Sequence, residues 1–146
     1  MRQRIIRSSI AVLVLANIIA AVPALAESEF KAELTGASEV PPTDSSATGR
    51  VSVMLEPKSR IISWIAMYGG LSGPVTAAHF HGHAAAGANA PPVVTVPGGV
   101  LLSPMIGIAT LSPAQVDDLE AGKIYFNIHT AAHPGGEIRG QLMPAK

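Results

Sequence analysis

Glycine and proline divide the sequence beyond residue 26 into pieces too short for anything but strands and turns. Together they make up 25 of the 120 residues from 27 to 146, spread along the segment rather than massed in one linker. Proline removes a backbone donor and glycine weakens the interior of any regular element, so such spacing punctuates short elements. Between the breaks, apolar and polar residues mostly alternate. Phe30, Ala32 and Leu34 share one face of a candidate strand, and Val51, Val53 and Leu55 share one face of the next. Residues 61–68 are apolar on both faces, with β-branched and aromatic side chains, as in a central strand. Residues 75–81, 93–96, 105–111, 123–130 and 137–142 bring the candidates to eight.

One segment reads differently. Ser112 is an N-cap, Pro113 fits the first helical position, Gln115 completes a capping box, and Gly122 follows as a stop. The spacing predicts one short helix near 112–121. Regular strands with a single helix predict an all-β, Greek-key β-sandwich, immunoglobulin-like or copper–zinc superoxide dismutase-like.

Residues 1–26 read as a secretory signal peptide. Arg2, Arg4 and Arg7 are basic, residues 10–22 form an apolar run interrupted only by Asn17, and Ala24 and Ala26 supply small residues for cleavage. An apolar run of about 13 residues is short of the roughly 20 that a membrane span needs. Export to the periplasm or the cell exterior is expected, with no membrane span after cleavage. The expected mature chain is one domain, 27–146, with seven basic residues against ten acids. This acidic balance argues against nucleic-acid binding. The absence of cysteine removes disulfides, thiolate metal sites and cysteine nucleophiles.

The chemistry is concentrated in the histidines. His79, His81 and His83 alternate, so in a strand they project from one face while Phe80 points the other way. Same-face neighbours lie roughly 7 Å apart in an extended strand, so two imidazoles converge on one ion but a third needs the bend that Gly82 permits. His129 continues the face of Tyr125 and Asn127, and His133 precedes the turn at Pro134, Gly135 and Gly136. A set made only of imidazoles favours Cu(II), Zn(II) or Ni(II) over Mg(II) or Ca(II). A hydrogen-bonded structural cluster and an acid–base role are the alternatives at this stage. Glu137, Arg139 and Gln141 share the polar face of the last strand, where a structural charge pair is expected.

Several separated motifs resemble the CHRD (chordin-type) domain family. Glu39, Val40, Pro41 and Pro42, then Gly49, then residues 77–82 are similar to its opening half. Leu119 with Gly122, residues 125–130 and residues 136–142 are similar to its closing half. The resemblance implies a sandwich-like fold, used by bacterial exported proteins and by animal extracellular proteins that bind growth factors, with no generally established reaction. His79, His81, Asn127, His129, Glu137 and Arg139 match family positions; Phe80 and His83 depart from the family pattern. The His-x-His strand is also similar to that of copper–zinc superoxide dismutases. Five histidines, no cysteine pair and no aspartate in the loop that follows His83 argue against their two-metal centre.

The expectation is therefore an exported binding module rather than an enzyme. His79, His81 and His129 would hold one Cu(II) or Zn(II), with His83 or His133 as a fourth ligand, and Asn127, Glu137 and Arg139 would serve structure or binding. A protein partner in the envelope or outside the cell is the other expected ligand. A structural domain whose histidines only hydrogen-bond is the second reading, and a dismutase-like redox enzyme the third.

Overall fold

A computed structural model describes residues 27–145; residues 1–26, read above as a signal peptide, lie outside the described residues. Nine strands form one sheet: β1 (Ser28–Thr35), β2 (Thr48–Glu56), β3 (Ile61–Gly69), β4 (Val75–Gly82), β5 (Pro92–Thr95), β6 (Met105–Thr110), β7 (Ile124–Thr130), β8 (Ile138–Gln141) and β9 (Met143–Pro144). The order is β5-β4-β7-β8-β1-β2-β3-β6, with β9 paired to β1, and every pairing is antiparallel. β8 meets β1 only through Thr35 and Arg139. At that seam the sheet folds over, and its halves β5-β4-β7-β8 and β1-β2-β3-β6 pack as the two layers of a sandwich. The chain crosses between layers after β3, after β5 and after β6, as a Greek key requires.

The core fills the space between the layers. Trp64 of β3 meets Phe80 of β4 edge-on, with ring centroids 5.1 Å apart, and Phe80 meets Phe126 of β7 at 4.7 Å. Phe30, Leu34, Val53, Leu55, Ile128 and Ile138 complete this cluster from alternate positions of their strands. Burying each large apolar side chain contributes roughly 1.5–3 kcal/mol. Gly107 of β6 faces Trp64 so closely that a Cβ there would collide with the indole. A bare glycine is the condition for the tryptophan to lie across the edge strand.

The helix α1 (Pro113–Glu120) carries the expected capping box: Ser112 Oγ accepts from the Gln115 amide, and Gln115 Oε1 accepts from the Ser112 N–H. Gly122, at φ +68, ends the helical stretch in a left-handed conformation that favours glycine. All eight expected strands are present. β9 is an addition, and the two-faced apolar run needs correcting. β3 buries one face only, leaving Ile61, Ile65 and Met67 exposed, because it lies next to the edge strand β6 with nothing over its outer side. The strand buried on both faces is β7, all seven residues of it, although its outer face is polar.

Candidate functional site: a histidine triad on a buried polar face

Antiparallel register lines up the outer face of the β4-β7-β8 layer in rows. Ala77 stands beside His129; His79 beside Asn127 and Arg139; His81 beside Tyr125 and Gln141. The inner face of the same strands carries Ala78, Phe80, Phe126, Ile128 and Ile138, all in the core. A period of two thus sorts histidines from aromatics, and the pairing of β4 with β7 brings histidines distant in sequence together.

Loops lie over this polar face, so its groups must find partners inside the protein. Arg139, only 2% exposed, lies 3.3 Å over the Tyr125 ring and donates to Ala88 O and Asn89 Oδ1 of the 83–91 loop. His81 is stacked parallel to the same tyrosine, with centroids 4.8 Å apart. Tyr125 Oη and the Ala90 backbone exchange hydrogen bonds.

Three imidazoles converge. His79 Nδ1 lies 3.0 Å from His129 Nε2, and one nitrogen from each of His79, His81 and His129 falls within 4.8 Å of the others. The main chain sets the tautomers. Pro134 O can only accept, so His129 Nδ1–H donates to it at 3.0 Å and Nε2 keeps its lone pair. His79 Nδ1–H then donates to that lone pair. His81 has an acceptor at each nitrogen, Ala90 O 2.8 Å from Nδ1 and Asn127 Oδ1 3.1 Å from Nε2, and its neutral ring donates to one of them only.

Burial lowers the pKa of all three histidines below the usual value. The neighbouring His129 and His81 deepen the shift at His79; main-chain acceptors oppose it at His81 and His129. The rings are therefore neutral at neutral pH, the form in which nitrogen binds a metal. Two nitrogens bound to one ion at about 2.0–2.1 Å lie roughly 3–4 Å apart. The His79–His129 pair already has nearly that spacing.

The remaining histidines sit elsewhere. His83, past Gly82, is exposed and directs Nδ1 to Asp118 of α1, 2.5 Å away. His133 lies in the turn after β7, where its backbone exchanges hydrogen bonds with that of Thr130. Neither is among the three that converge.

Glu137 and Arg139 are both buried but do not form the charge pair expected of them. Glu137 is instead held by hydroxyls: Ser45 and the Ser72 N–H donate to Oε1, while Ser72 and Thr130 donate to Oε2. Burial raises its pKa, but these hydrogen bonds outweigh that and hold it at about 2. The carboxylate ties three segments together.

Glu39, also buried, went without a role in the sequence. Burial pushes its carboxyl up to about 7, against the pull of Arg139 and hydrogen bonds from Val40 and Asn127. Gly136, at φ +128, lets this carboxylate approach; a Cβ there would collide with Glu39 Oε1. The Glu39–Pro42 motif could have flagged the residue, but only the tertiary fold shows that it is buried.

Fold and site together define a class: an all-β sandwich with a polar, histidine-bearing face closed under loops. The CHRD domain model matches residues 30–142, and the chain belongs to the CHRD-domain family. No curated protein and no solved structure matches the chain. Among the described residues no helix is long and apolar enough to cross a membrane.

Proposed function

We propose that this CHRD domain is an exported binding module whose His79, His81 and His129 hold one Cu(II) or Zn(II). One observation carries the reading. His129 donates Nδ1–H to the Pro134 carbonyl, which leaves its Nε2 lone pair as the ligating atom, and His81 Nδ1 lies against the Ala90 carbonyl in the same way, as metal-binding histidines commonly do. The ion takes the place of the proton shared between His79 and His129. Imidazoles without thiolate or carboxylate suit copper and zinc.

The test is calorimetric titration of the 27–146 chain with Cu(II) or Zn(II). One saturable site, lost in His79→Ala and in His129→Ala, is expected. No saturable binding, or binding unchanged in both variants, overturns the reading.

A structural reading has its own observation: both His81 nitrogens already face carbonyl oxygens. It predicts that His129→Ala loses stability but no ligand. Export rests on residues 1–26, and amino-terminal sequencing of the exported protein should begin at Glu27. A chain still beginning at Met1 contradicts cleavage.

A further inference from the structure

The two edges of the folded sheet are unlike. β5 is four residues long, opens on Pro92 and is followed two residues past its end by Pro97. Short length and proline are common ways of closing an edge to further pairing. β6, the other edge, has six residues, pairs with β3 without a register shift and contains neither proline nor charge. Its pairing with β3 fixes which main-chain groups are free. Leu111 N–H donates to Arg60 O, so in this antiparallel ladder Met105, Gly107 and Ala109 also turn their main chain toward β3. The N–H and C=O of Ile106, Ile108 and Thr110 point the other way, and no described segment bonds to them.

The same three residues carry their side chains on the outer face, where Ile106 is 58% and Ile108 73% exposed. Ile61, Ile65 and Met67 of β3 are exposed on that face as well. A flat, apolar edge of this kind is a template for another strand. Charge indicates which one. Residues 61–116 contain no Lys, Arg, Asp or Glu, so neither β3, β6 nor the loop before β6 selects a foreign partner by charge. In a two-fold pairing the strand meets itself, and a charge at its centre would face its like. β6 is free of that penalty. An antiparallel register centred on Ile108 sets Ile108 beside its own copy and Ile106 beside Thr110. Every free N–H and C=O of the three residues then finds a partner across the axis.

We propose that the chain forms a two-fold dimer in which β6 pairs antiparallel with β6 of a second copy, centred on Ile108. The pairing joins the β1-β2-β3-β6 layers of the two copies into one continuous sheet. Ile106 and Ile108 gain the cross-strand neighbours that an edge position denies them. The histidine triad lies on the other layer, on β4 and β7, so the dimer does not depend on a bound metal.

The test is sedimentation equilibrium of the metal-free 27–146 protein, which should show a concentration-dependent dimer. Ile108→Lys sets two ammonium groups opposite each other on the axis and should raise the dissociation constant roughly tenfold or more. Ile108→Pro removes an outward N–H without costing a bond to β3, and should have the same effect. Met143→Lys, also exposed but on β9, should leave the dimer unchanged. Hydrogen exchange supplies a readout that needs no variant. The amides of Ile106, Ile108 and Thr110 should be protected only at concentrations where the dimer forms, and those of Gly107 and Ala109 at all concentrations. A protein that stays monomeric, including one that attaches to lipid vesicles through this face, overturns the proposal. So does a dimer that both folded Ile108 variants leave intact, or one in which those three amides exchange freely.

Discussion

His79 Nδ1 and His129 Nε2 lie 3.0 Å apart although the residues are 50 positions apart in sequence. They are diagonal neighbours on adjacent strands, because the register sets His79 beside Asn127 and His129 beside Ala77. The loop carbonyl of Pro134 then makes His129 Nε2 the acceptor. A strand pairing and one carbonyl thus create the contact on which the candidate metal site rests.

His129→Ala removes the acceptor of His79 and the donor to Pro134 in a buried setting. A loss of about 1–3 kcal/mol in folding stability of the metal-free protein is expected, measured by urea unfolding. His83→Ala, at an exposed pair with Asp118, should change stability by less than about 1 kcal/mol and leave metal binding intact.

Glu137→Gln should destabilise the domain by about 2–3 kcal/mol, because a neutral amide cannot accept all four hydrogen bonds made to the carboxylate. Its folded pKa of about 2 lies below the ordinary 4.5. The carboxylate's stabilisation is therefore present above 4.5 and is lost as pH falls toward 2. Acid unfolding of the wild type followed by circular dichroism should be steeper through that window than that of Glu137→Gln.

Glu39 has the opposite sign. With its folded pKa raised to about 7 from 4.5, it contributes fully below 4.5, and the contribution disappears as pH rises through 7. Unfolding of Glu39→Gln and wild type at several pH values should show the variant gaining relative stability between those limits. An unchanging difference contradicts a carboxyl held protonated by burial.

Gly107→Ala should cost about 1–3 kcal/mol, since its Cβ would collide with the Trp64 indole and the edge strand or the ring must shift. Near-ultraviolet circular dichroism of Trp64, the only tryptophan, should change along with the unfolding midpoint.

Much of this architecture is local and readable. Alternation at Phe30–Leu34 and Val51–Leu55 locates strands, and Ser112 with Gln115 locates the helix start. The same period of two puts His129 with Tyr125 and Asn127 and turns Phe80 away from His79. What period cannot give is which outer face is covered. Ile61–Met67 reads as buried on both sides yet faces solvent at β3, while polar Tyr125, Asn127 and His129 lie under loops. That distinction depends on where the 83–91 and 131–136 loops run, which is set by tertiary contacts. The same limit applies at His83. Gly82 permits the chain to bend, but the bend carries the ring toward Asp118 of α1, a partner 35 residues away. β9 escapes because two residues paired to β1 have no period to show.

The central claim is that His79, His81 and His129 hold a transition metal. Elemental analysis of the protein purified without chelators from its native compartment tests it most directly. About one copper or zinc per chain, absent from a His79→Ala/His129→Ala variant prepared the same way, is the predicted result. Neither metal above background in the wild-type protein contradicts the account.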